Sequence, residues 1–422
     1  MGILVLGILL IYMLTKLEKG IIIVLLLSPV LSIIEVGGQS ITLYLQAFLL
    51  CVYVVKRYKS ICCTIRHNIF FISSFIMICS LFLSNYLSIE KHTPTLLLMM
   101  SSYFTLFILF DIFKQNIQYV NYFIKVSVVF AFVITINGLF ETIFRYNILS
   151  ELFVKIGLYP SSFWFVTGVR YGLKRAQSLF DMHTSLGGYC YIVFCFLLFL
   201  RSKYYSHKNI PVCLLILLIL NLFFTGVRSA IIASCIGIIA FIDLKKFKAK
   251  HYFICFAFLV LVLPFLAPYL ENIINSITQT DAISGSNTDM RYNQYEISLA
   301  YMNESFWFGN GISYTFNVAK MYDKELYGAE SAWFPLMIDQ GMFGCIAYSL
   351  LYLSALYFVF KKHMKSFAWC IVGFLVFDSM SSIPRISLIY FFYYISAIYY
   401  IKFYLKNDTF NNNSGLQCRK IH

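Results

Sequence analysis

Apolar residues in this chain fall in long, all-round runs instead of the one-sided stripes of a soluble helix. The runs lie at about 2–15, 20–35, 40–55, 68–88, 94–112, 119–143, 181–200, 210–225, 229–243, 252–270, 333–360, 367–381 and 386–403. A helix needs about 20 apolar residues to cross a hydrocarbon core of ~30 Å. A single spanning segment satisfies its own backbone there only as a helix. The pattern predicts an all-α, polytopic membrane protein with about 12–13 transmembrane helices; the two short runs at the start make 12 as good a count as 13. Met1 to Thr15 has no basic n-region and no small-residue cleavage site, so it reads as a retained hydrophobic segment.

The polar stretches between the runs set sidedness. Residues 56–67, 201–209, 244–251, 361–366 and the tail carry Lys56, Arg57, Lys59, Arg66, Arg201, Lys203, Lys208, four lysines from Lys245 to Lys250, Lys361, Lys362, Lys365, Lys402, Lys406, Arg419 and Lys420, with Asp408 as the one acid. Counted in alternation these stretches share one face, and an excess of Lys and Arg marks the cytoplasm. Two long segments fall on the opposite, external face. The division expected is 1–143, N-terminal transmembrane helices; 144–180, first long external loop; 181–269, central transmembrane helices; 270–332, second long external loop; 333–403, C-terminal transmembrane helices; and 404–422, a cytoplasmic tail whose Asn411-Asn412-Asn413-Ser414-Gly415 composition predicts disorder.

Composition removes the remaining alternatives. Hydrophobic residues are 60% of the 422 and charged residues 12%, against about 25% charged in a soluble domain. The net charge of +14 would suggest nucleic acid in a soluble protein. Here the topology of basic loops absorbs it, so no nucleic-acid partner is expected. None of the 12 cysteines lies in 144–180 or 270–332, so no disulfide framework or zinc spacing is expected there. Without paired carboxylate or histidine spacing, no metal is expected either. No internal repeat suggests an inverted-repeat transporter.

Chemistry concentrates in four stretches. Arg170, Lys174 and Arg175 cluster on the external side, where the positive-inside bias disfavours cations. If helical, Arg170 and Lys174 share a face. The cluster can hold an anion or anchor to lipid headgroups. Asp181 follows at the start of a span. Thr225-Gly226-Val227-Arg228-Ser229 separates two runs so closely that Arg228 sits at the membrane boundary, where a charge is either functional or a snorkelling turn residue. Arg291 is one of three cations among eight acids in the second loop, and either binds an anion or pairs with Asp289 or Glu296. Glu330 lies just before Trp333, which reads as an interfacial aromatic. Glu330 can take or orient a hydroxyl proton; otherwise it caps the incoming helix or pairs with Lys324. Asp339, deeper, reads as a packing residue.

Cations converging on one external face beside a carboxylate suit a lipid-linked diphosphate. A diphosphate gains charge as its bond to sugar breaks, and fixed cations stabilise it.

At these residues the chain resembles the O-antigen polymerase/ligase family of bacterial surface-polysaccharide assembly. The matching pieces are Arg175-x-x-Ser178-x-Phe180-Asp181 with Gly187, Thr225-x-x-Arg228-Ser229, Arg291 ahead of Phe308-Gly309-x-Gly311, and Glu330-x-x-Trp333 with Gly341-x-x-Gly344. Their order and spacing fit across about 170–345. The resemblance implies a glycosyltransferase of the helical C type in the bacterial inner membrane, working without metal, cofactor or nucleotide sugar. It implies undecaprenyl-diphosphate-linked oligosaccharide as donor and acceptor, and a chain-length regulator and a flippase as partners. It implies Glu330, Arg228 and Arg291 as catalytic, and Arg170, Lys174, Arg175, Asp181 and Trp333 as substrate-binding. Ligase members often have His-Asn where this chain has Glu330-Ser331, which favours a polymerase of repeat units over a ligase acting on lipid A core. A flippase or other transporter of lipid-linked oligosaccharide is the reading from a different class. Charges gathered in loops instead of spans weigh against it.

Overall fold

The computed structural model describes residues 2–36, 39–88, 91–159, 169–170, 173–203, 211–239, 241, 288–381 and 386–413. The hydrophobic run at 252–270 and the basic loop at 244–251 lie outside these residues.

Every described run is helical. In chain order the described helices of eight residues or more are α1 (Gly2–Thr15), α2 (Leu17–Leu31), α3 (Ile41–Arg66), α4 (Phe70–Leu87), α5 (Thr93–Gln115), α6 (Ile117–Phe144), α7 (Ile148–Lys155), α8 (His183–Lys203), α9 (Val212–Phe224), α10 (Arg228–Ile239), α11 (Thr288–Glu304), α12 (Trp333–Lys361), α13 (Lys365–Ser379) and α14 (Ile386–Asn413). The described strands are two-residue hairpin arms. β1 (Glu35–Val36) pairs antiparallel with β2 (Gln39–Ser40), and β3 (Val169–Arg170) with β4 (Leu173–Lys174). The fold is all-α.

Local sequence sets the helix starts. Ser40 accepts from the Thr42 N–H, Asn116 from Gln118 and Asn147 from Ser150, each supplying an oxygen to one of the donors a helix N-terminus leaves open. Pro94 enters α5 in its first turn, where its missing N–H has no consequence.

Six described helices are long and apolar enough to cross a membrane: α4, α5, α6, α8, α12 and α14. The six are counted among the described residues alone, which leave out the expected run at 252–270. Apolar helices α1, α9 and α10, 12 to 14 residues long as described, rise only about 18–21 Å. Helix α3 bends at Arg57, whose backbone leaves helical geometry. At the other end, α14 runs on to Asn413, into the stretch expected as tail.

Burial ranks the spans. In α8, 78% of the spanning window is buried, and 72% in α5 and α14, against 44% in α4, α6 and α12. The first three are therefore central. Around them α3 packs on α5, α4 on α12, α6 and α8 on α9, and α10 on α13. Buried acids are satisfied by hydroxyls. Asp111 accepts from Tyr53 (2.9 Å) and Thr64 (3.0 Å), and Asp378 from Tyr348 (2.6 Å) and Tyr352 (2.9 Å). An unsatisfied carboxylate would not be tolerated at such depth.

Candidate functional site

The site begins at the turn between α9 and α10. Thr225 closes α9, and Gly226 turns the chain with φ of 62°, a left-handed conformation that a Cβ disfavours. Arg228 then opens α10. The segment before α8 is stitched onto this turn: Arg175 Nε donates to the Thr225 carbonyl (2.9 Å) and the Ala176 N–H to the Phe224 carbonyl (2.9 Å). Arg175 and the Thr225–Arg228 turn are thus held side by side.

What fixes residues 174–178 is a residue the sequence reading passed over. Glu141, in α6 and 1% exposed, accepts from the backbone N–H groups of Gln177 (2.9 Å) and Ser178 (2.7 Å) and from Asn147 Nδ2 (3.0 Å). Lys174 Nζ lies 3.5 Å from its other oxygen. Because the carboxylate takes these N–H groups, the segment does not form the helix on which Arg170 and Lys174 were to share a face. Instead they lie on the paired arms β3 and β4. The signal was present: an acid inside an apolar run is a site candidate by default.

The second part of the site is an ion pair. Arg291, on α11, reaches Glu330 with both Nε and Nη2, each 2.9 Å from the same oxygen, Oε2. Among the described residues Oε1 of Glu330 and Nη1 of Arg291 have no partner. The pairing replaces the expected partners Asp289, Glu296 and Lys324. Nor does Glu330 cap α12; the Ser331 hydroxyl takes the Trp333 N–H (3.2 Å). Gln294, fully buried on α11, positions the Glu330 backbone: its Oε1 accepts from the Glu330 N–H (3.0 Å) and its Nε2 donates to the Glu325 carbonyl (2.8 Å). Farther along α11, Tyr301 donates to Asp323 (2.7 Å); burial and that carboxylate raise its phenol pKa above the usual value.

The end of α13 joins the two parts. The Ala332 N–H donates to the Asp378 carbonyl (3.0 Å), Trp333 Nε1 to Ser379 (3.0 Å), and Arg291 Nη2 to the Met380 carbonyl (3.4 Å). Ser381, one residue on, shares a hydrogen bond with Ser229, the neighbour of Arg228. A continuous path of contacts therefore links Arg175, the Arg228 turn, Arg291 and Glu330. Trp333 sits edge-on to Tyr348, centroids 5.3 Å apart. Asp181 stands between this segment and α8, half-buried. The Arg170 side chain lies outside what is described.

The third part is a break in α12. Gly341 has φ of 62° and ψ of −159°, a region open only to glycine. The chain from Phe306 to Gly311 fills the gap. Met342 and Phe343 donate to the carbonyls of Phe306 (2.8 Å) and Trp307 (3.0 Å), while the Ile338 and Asp339 carbonyls accept from Asn310 (2.9 Å) and Gly311 (3.0 Å). Asp339, 2% exposed, receives the Thr315 N–H (2.8 Å) and hydroxyl (2.7 Å) and the Ser313 N–H (3.2 Å), a structural role in keeping with its packing assignment.

Residues 213–349 match a family model described as O-antigen ligase. That match takes in Arg228, Arg291, Glu330, Trp333 and Gly341. No curated protein matches the chain. The matched segment and the helical architecture together support a polytopic membrane protein of this general kind, with an enzymatic role in polysaccharide biosynthesis.

Proposed function

We propose that the protein polymerises undecaprenyl-diphosphate-linked oligosaccharide repeat units at the external face of a bacterial inner membrane, as a metal-independent glycosyltransferase. The observation that carries this reading is the Arg291–Glu330 pair, joined through residues 378–381 to the Arg228 turn and Arg175. Cations and one carboxylate with an uncommitted oxygen are what the reaction needs. An acceptor hydroxyl attacks the anomeric carbon of the donor glycan. The new C–O bond forms as the bond to diphosphate breaks, and its electron pair leaves with the diphosphate. Arg175, Arg228 and Arg291 stabilise that charge. Glu330 Oε1 receives or orients the hydroxyl proton, while Oε2 stays fixed by Arg291. A positioned general base contributes about 10²–10⁴-fold.

The family description names a ligase, so transfer to lipid A core is the second reading; Glu330-Ser331 in place of His-Asn favours the polymerase. The deciding experiment complements a polymerase-deletion strain with Glu330→Gln at matched protein level. The expected result is single repeat units on the lipid in place of a ladder. A normal ladder removes Glu330 from the chemistry. Loss of polymer attachment to core with free lipid-linked polymer intact establishes the ligase. In vesicles, translocation of a labelled lipid-linked repeat without lengthening establishes a flippase.

A further inference from the structure

A cavity of about 330 Å³ lies between α2, α3, α5, α8 and α14. That is at the small end of ligand pockets, about 300–1,000 Å³. It is separated from the arginine cluster by the first turns of α8. A Cβ on Gly187 would lie 3.6 Å from both Thr225 Oγ1 and Val227 Cβ, on the Arg228 side, whereas Gly188 lines the cavity.

Its wall has an unusual chemistry for the interior of a membrane protein. Thr42 and Tyr189, each 3% exposed, have hydroxyls with no hydrogen-bond partner among the described residues. Gln46 is 2% exposed and accepts from Ser101 (2.7 Å) through Oε1, while its amide N–H groups are uncommitted among those residues. Asp181 adds a carboxylate, and no cation is among the described residues that line the cavity. Beside these polar groups stand three rings: Tyr189 lies 5.1 Å from Phe180 and 6.2 Å from Tyr390, centroid to centroid.

Each candidate occupant can be judged by this wall. A diphosphate would meet a carboxylate and no cation. A polyprenyl tail would leave buried hydroxyls and an amide unsatisfied, which is unfavourable. A polyhydroxylated ring supplies both donors and acceptors at its rim and C–H faces for the aromatic rings. We propose that the cavity binds one uncharged sugar ring. Its identification as a unit of the lipid-linked glycan other than the one reacting rests on the transferase reading above; the sugar site itself does not.

The test uses full-length protein in lipid nanodiscs and saturation-transfer NMR. Methyl glycosides of glucose, galactose and N-acetylglucosamine are the sugar probes, and farnesol is the tail probe. At least one glycoside should bind. Thr42→Val with Tyr189→Phe, which removes two hydroxyls at nearly constant volume, should weaken it about tenfold without lowering Tm. Asp181→Asn alone provides a second variant, expected to weaken binding in the same direction. Glu330→Gln should bind the glycoside as wild type does. No glycoside binding, equal binding by wild type and both variants, or binding of farnesol alone would each overturn the sugar site. Failure of the wild-type gene to restore a ladder in the deletion strain, together with glycoside binding, removes the transferase reading and leaves the sugar site. A ladder restored by the wild-type gene without glycoside binding to the protein does the reverse.

Discussion

Glu141 and Glu330 are both acids paired with a base, yet burial gives them different work. Glu141 is 1% exposed and its carboxylate is spent on three N–H groups and Lys174. Breaking such a buried arrangement costs roughly 3–5 kcal/mol. Glu141→Ala should therefore lower Tm sharply in detergent-solubilised protein, with polymer lost as a consequence. Lys174→Met should lower Tm less. If Lys174→Met abolishes polymer while Tm holds, Lys174 contacts substrate after all. Glu330 and Arg291 are a quarter to a third exposed, where an ion pair contributes at most about 1 kcal/mol. Their variants should act on activity and leave stability nearly intact. Arg175→Ala, Arg228→Ala and Arg291→Ala should each remove polymer, since loss of a desolvated charge contact to diphosphate costs roughly 2–5 kcal/mol. Lys should rescue poorly, lacking the planar fork. Full ladders from all three alanine variants exclude the arginines as the diphosphate site.

At the scale of the element, the broken α12 is the feature most dependent on single residues. A helix interrupted at Gly341 loses the bonds from Met342 and Phe343 to Ile338 and Asp339. The Phe306–Gly311 segment replaces those two with four. A Cβ at Gly341 would stand 2.6 Å from the Phe306 carbonyl and 2.7 Å from the Gly309 nitrogen, and one at Gly309 would overlap the backbone of Asp339 and Gln340. Gly341→Ala combines forbidden backbone geometry, about 1–3 kcal/mol, with that overlap. It should reduce Tm and disorganise the Glu330 end of α12 together. Gly226→Ala meets the milder left-handed strain of about 1–2 kcal/mol and should cost less stability while still reducing polymer through Arg228. Equal Tm for Gly341→Ala and wild type would mean that the break can re-form a continuous helix.

At the scale of the molecule, sidedness is the claim to test. Cytoplasmic placement of the basic loops puts Lys59 inside and the α11 segment outside. In a variant lacking native cysteines, Asn303→Cys, exposed on α11, should react with a membrane-impermeant thiol reagent in intact spheroplasts. Lys59→Cys, exposed on α3, should react only after lysis. The opposite pattern inverts the molecule and removes the external site with it.

Sequence by itself determined the helical class and the position of every described apolar helix. Apolar runs and charged loops are local properties, and hydrocarbon leaves the backbone no choice but to form helices. It did not show the bend of α3 at Arg57, which no proline or glycine marks. It marked Arg291 and Glu330 separately but offered nearer charges as their partners. Only tertiary structure joined residues 39 apart in sequence through a shared oxygen. It placed Gly309 and Gly311 in one matching piece and Gly341 in another; their mutual fit exists only once two distant backbones meet. Glu141 and the cavity behind α8 were decided wholly by packing, since what a buried acid or hydroxyl does depends on which donors and acceptors folding brings within reach.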